Sequence, residues 1–202
     1  MMESQQTRRD FFADVGRGMV VATVGYSIAS ELNLRVHACD SANAWRNMAR
    51  VGNPRNTFAC LILGAYQVAL DRTNRGGDFL NWQPLPVKWH LDGIKSTEAT
   101  SLLTEADEAI RQNLQSRAPA IIHRYGELGH PSRPLFDLML GYAVSEGGAL
   151  RAEKFYRTVS EEFLTTRPAF RWRQLIALAR VTASEYGRPA AGMAQARELL
   201  KV

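Results

Sequence analysis

Imidazoles and carboxylates projecting into a helical bundle form a donor set that can hold iron, manganese or zinc. Here the candidates are His123, His130, Glu146 and Glu153. His123 shares a helix with Tyr125, and His130 follows after a turn. Glu146 and Glu153 fall close to one helical face if Gly147-Gly148 leaves the helix intact. Di-iron carboxylate proteins use paired Glu-x-x-His repeats, and this chain has none. The simpler alternative is that these histidines cap helices or sit half exposed. Glu146, within Ser145-Glu146-Gly147-Gly148, is also a candidate general base, because burial among apolar side chains raises a carboxyl pKa. Glu153 and Arg157, spaced i,i+4, read more simply as a surface ion pair.

The two cysteines, Cys39 and Cys60, exclude a four-cysteine zinc or iron–sulfur site within the chain. A disulfide between them and two separate thiols both stay open. No P-loop, dinucleotide fingerprint, Gly-x-Ser-x-Gly elbow, His-Glu-x-x-His or haem-attachment motif occurs. Catalytic and cofactor-binding residues are therefore unassigned. Tyr142, Phe155, Tyr156, Phe163, Phe170, Trp172 and Tyr186 recur at helical spacing, which favours core packing over a ligand cavity. Prolines and tryptophans between Trp82 and Trp89 would make a rigid pocket rim.

These side chains must be positioned by a folded domain. Hydrophobic residues at 46% and charged residues at 22% are globular proportions, so disorder and fibrous repeats are not indicated. The formal charge of +5 raises nucleic-acid binding. The arginines, however, are scattered beside acidic residues and build no basic stripe, so no nucleic-acid partner is expected.

At the N-terminus, Thr7-Arg8-Arg9-Asp10-Phe11-Phe12 precedes the mildly apolar stretch 18–29, which ends in the small-residue pattern Ser27-Ile28-Ala29. This run resembles the twin-arginine signal peptides of bacterial export, with Arg8, Arg9 and Phe11 at the signature positions and Ala13 where a lysine is usual. The resemblance covers about the first thirty residues. It implies a periplasmic or cell-envelope address, the twin-arginine translocase as transient partner, and membrane contact only through the signal. Val36-His37-Ala38 is a second cleavage candidate. The stretch is well short of the ~20 residues that cross a bilayer. The alternative is an amphipathic first helix bearing Phe11, Phe12, Val15 and Met19.

Residues 30–56 show little apolar periodicity and close on Gly52-Asn53-Pro54, predicting an irregular linker or the scar of a joined reading frame. From 57 to 202 the pattern is helical. Helices are expected over 57–75 with Leu61, Gly64, Ala65, Val68 and Ala69 on one face, and over 96–115 with Leu102, Ala106 and Ile110 inward. Others begin near Pro119, Ser132, Ala149, Pro168 and Pro189. Asp78 to Lys95 reads as an extended, aromatic-anchored loop, since two prolines forbid a continuous helix. The expected architecture is an all-α antiparallel bundle or helical-hairpin array: signal 1–29, linker 30–56, helical domain 57–202. The functional expectation is a non-catalytic binding or interaction module at the cell envelope. A metal- or cofactor-dependent oxidoreductase exported folded, or a truncated remnant of one, is the alternative.

Overall fold

The computed structural model describes residues 37–74, 85–145, 150–188 and 192–201, and these are all-α, with nine helices and no strand among them. None of the described helices is long and apolar enough to cross a membrane. The chain divides into two compact units, Met1–Arg75 and Gly76–Val202.

In the first unit α1 (His37–Val51) and α2 (Pro54–Asn74) form a hairpin. Asn53 starts α2: its Oδ1 accepts from the Asn56 N–H at 3.0 Å, and Pro54 takes the first helical position. Thr57 Oγ1 donates to the Ala49 carbonyl at 2.9 Å and ties the two helices at the turn. The linker expected over 30–56 is thus a helix from 37 to 51. Its periodicity escaped an apolar search because the buried face of α1 carries Asp40 and Asn43. The α2 face is also different from expectation. Cys60 is buried and Gly64 lies against Trp45, where a Cβ would come within 3.3 Å of the Trp45 Cβ, while Leu61, Ala65, Val68 and Ala69 are exposed. A helix apolar on all sides has no pattern to say which face is covered.

The second unit holds α3 (Lys88–Asp92), α4 (Ala99–Arg111), α5 (Arg117–Glu127), α6 (Arg133–Ala143), α7 (Leu150–Thr165), α8 (Pro168–Glu185) and α9 (Met193–Leu200). Central to it is α8, which packs against α4, α5, α6 and α7. Leu175, Leu178, Ala179 and Ala183 are buried along its length. Facing them are Leu102, Ala106 and Ile110 of α4, Ile121 and Tyr125 of α5, Leu135 and Met139 of α6, and Phe155 and Val159 of α7, all buried. Of the Asp78–Lys95 segment, residues 85–87 are non-helical as expected, but beyond them the chain makes the one-turn helix α3 carrying Trp89 and His90. Residues 75–84, with Trp82, lie outside the described residues.

In the α5–α8 contact Trp172 lies over Gly126; a Cβ there would meet Trp172 Cδ2 and Cε3 at 2.7 Å. Gly126→Ala is therefore expected to destabilise the protein by about 1–3 kcal/mol. Gly141→Ala, whose Cβ meets nothing within 4 Å, is expected to stabilise it by about 0.5–1 kcal/mol by removing a helix-interior glycine. Urea unfolding of the two variants checks both signs.

Candidate functional site

Leu102, Ala106 and Ile110 point α4 into the core, which leaves Asp107 and Arg111, one turn apart, on its flank. Arg111 Nε donates to Asp107 Oδ2 at 2.8 Å. From α6, Tyr142 reaches the same carboxylate, its hydroxyl donating to Oδ1 at 2.5 Å. Both Asp107 oxygens are thereby engaged, one within its own helix and one across to α6. The Tyr142 ring meets Tyr186, just past α8, edge-on at 5.4 Å between centroids. Together with Asp137, Leu138, Gly141 and Ser145 these residues line a groove of about 490 Å³.

The electrostatics of the groove are settled by pairing. Burial raises the Tyr142 phenol far above its ordinary pKa, and the Asp107 carboxylate raises it further. Tyr142 is thus a neutral hydrogen-bond donor at physiological pH. Asp137 is held by Arg133 Nε, which donates to Oδ1 at 2.8 Å. Arg111 gives Nε to Asp107 and also interacts with the Tyr142 hydroxyl, and its side chain is largely exposed at the groove. Among the described residues neither an imidazole nor a thiol lines the groove; its wall is a guanidinium, two carboxylates and two phenol rings.

The residues expected from sequence fall elsewhere. His130 Nε2 donates to the Thr97 carbonyl at 2.8 Å, and its ring lies 4.9 Å from that of Tyr125. His123 Nδ1 is 3.5 Å from Glu127 Oε2, buried and without a hydrogen bond among the described residues. It borders a separate cleft of about 260 Å³ with Trp172 and Arg173. Glu153 is exposed on α7, and Glu146 lies outside the described residues. No group of three or more His, Cys, Asp or Glu among the described residues could hold a metal ion. Arg157 pairs with Glu161 at 3.2 Å rather than with Glu153. Cys39 is exposed on α1, Cys60 is buried on α2, and no disulfide joins them. Arg8, Arg9 and Phe11 lie outside the described residues.

Asp107, Arg111 and Asp137 were not singled out from the sequence. Their only signal was the i,i+4 spacing of Asp107 with Arg111, which marks an ordinary surface pair until Tyr142 is brought to it. The aromatic series divides. Phe163 packs edge-on with Phe136 at 5.2 Å and with Trp172 at 6.3 Å, while Tyr142 and Tyr186 line the groove. Trp89 stands on the rim of a third concavity, of about 600 Å³.

Tyr142→Phe leaves a half-buried carboxylate short of a donor and is expected to cost about 1–3 kcal/mol at neutral pH. Burial also raises the phenols of Tyr125 and Tyr156. Unfolded tyrosines lose their protons near pH ~10 whereas the folded ones keep them, so stability is complete below that pH and falls as pH rises toward the raised values. Urea midpoints between about pH 9 and 11 are expected to fall less steeply in Tyr142→Phe than in the parent chain.

Comparison with protein-family models, curated proteins and solved structures finds no match. Any functional reading rests on the arrangement of these side chains.

Proposed function

We propose that this chain is an all-α binding domain, exported by the twin-arginine route to the cell envelope, which takes a small polar ligand in the Asp107–Arg111–Tyr142 groove. The observation that carries the binding reading is that the groove's charges are already matched. Asp107 is held by Arg111 and Tyr142, Asp137 by Arg133, and Tyr142 keeps its proton. A general acid or base needs a group free to exchange a proton, whereas the carboxylates that line the groove among the described residues are each held by a donor.

Paired charges also select the ligand. An ion of one sign gains little from a groove whose carboxylates and guanidinium groups cancel, whereas a zwitterion can pair with both. Its anionic end would meet the terminal nitrogens of Arg111, and its cationic end the Asp137 carboxylate. Free amino acids are the simplest members of that class. Tyr142 and Tyr186 supply the wall against which the remainder packs.

Export is supported by Arg8-Arg9 with Phe11 ahead of a short, mildly apolar stretch that ends on small residues, with cleavage after Ala29 or after Ala38.

Two measurements test this reading. In the native host, replacing Arg8 and Arg9 by Lys is expected to leave full-length precursor in the cytoplasm, and the parent chain from the envelope is expected to have the mass of cleavage after Ala29 or after Ala38. Unchanged export of the double variant would show that the arginines are not read. For the groove, a thermal-shift screen of the twenty amino acids is expected to find at least one that raises the melting temperature of the parent but not of Arg111→Ala. A stoichiometric metal in the envelope-purified chain would instead favour the oxidoreductase alternative.

A further inference from the structure

We infer that the concavity around Trp89 is a binding site for a neutral sugar. It is separate from the groove described above and rests on other residues. Trp89 is 70% exposed, although its indole is among the most favourable side chains to bury. The short helix α3 holds it with one side backed by His90, the two ring centroids 3.5 Å apart and inclined at 41°. The concavity beside it, about 600 Å³, falls within the usual size of small-ligand sites.

Polar groups with unused hydrogen-bonding capacity surround this indole. Asn113 spends its amide nitrogen on the Ala183 and Tyr186 carbonyls, both at 3.0 Å, which anchors the side chain and leaves Oδ1 as an acceptor. The Gln115 amide and the Ser116 hydroxyl make no hydrogen bond among the described residues. His90 Nδ1 is buried and likewise has no partner among them. Arg117, the charged member of the wall, is committed to Glu105 at 3.1 Å. The site therefore combines an aromatic platform with neutral donors and acceptors and little net charge.

This combination fits a pyranose ring. One face of the ring is carbon-bound hydrogen, which packs on an indole, and its edge is a series of hydroxyls that each donate and accept. Side-chain amides and hydroxyls match that dual character, whereas a guanidinium can only donate. A nucleotide would also stack on Trp89, but it brings a phosphate, and the guanidinium nearest to hand already holds a carboxylate. Asn113 is fixed in the left-handed region at φ +54 by its two bonds, so this part of the wall is preorganised and costs little to order on binding.

Isothermal titration of the purified chain with maltotriose, cellotriose and triacetylchitotriose, and with adenosine monophosphate as the stacking anion, tests the inference. At least one trisaccharide is expected to bind. Trp89→Ala is expected to weaken it by about tenfold or more, while Trp89→Phe keeps most of the affinity. Because Trp89 is exposed, both variants are expected to keep the parent's circular dichroism and melting temperature, which separates loss of a binding face from loss of fold. Failure of all three sugars to bind, an affinity unchanged in Trp89→Ala, or binding of the nucleotide alone would each overturn the assignment.

Discussion

The second unit depends on how closely four helices can approach α8. Ala179 and Ala183 are fully buried on it, and their small side chains let neighbouring backbones come near enough for Ile110, Ile121 and Val159 to fill the remaining space without voids. At the other end of the helix the balance is reversed: Trp172 is large, and Gly126 of α5 provides the room. At both ends a small residue makes room for a neighbour, alanines of α8 at one and Gly126 of α5 at the other.

A helix buried on so many sides must still satisfy its last carbonyls, which have no partner within the helix. Asn113, in the turn after α4, supplies two donors to this end, bonding the carbonyls of Ala183 and Tyr186. The same bonds fix the backbone of Tyr186, which lines the Asp107 groove, and hold Asn113 in the wall of the Trp89 concavity. Capping one helix therefore positions the walls of both concavities. A buried Glu185 completes that end: its Oε1 lies 3.6 Å from Arg151 Nη1 of α7 and accepts from Ser184 Oγ at 3.3 Å, so its charge is compensated.

Where a helix buries an apolar stripe, its place in the fold was legible from sequence. Leu102, Ala106 and Ile110 of α4 are fully buried as their spacing requires, and Pro168 opens α8 where an N-terminal proline should. Legibility fails where the stripe is polar or absent. Asp40 and Asn43 give α1 a buried face that an apolar search cannot register, and α2 is apolar on every side. The groove was illegible for another reason. Asp107 and Tyr142 lie on different helices, and no local motif announces that packing α4 beside α6 will bring them together. Trp89 was the exception, because prolines and tryptophans marked its segment as a rim before its helix was known.

Tyr142 illustrates how a residue can serve the core and a site with the same atoms. Its ring is buried beside Tyr186, and that burial raises the phenol pKa. Keeping the proton keeps the donor that Asp107 needs, so an apolar environment maintains a polar bond instead of competing with it. The Asp107 carboxylate in turn disfavours phenolate beside it, which preserves the bond. Such a pair is held from two helices at once, so the packing of α4 beside α6 and the charge pattern of the groove depend on each other.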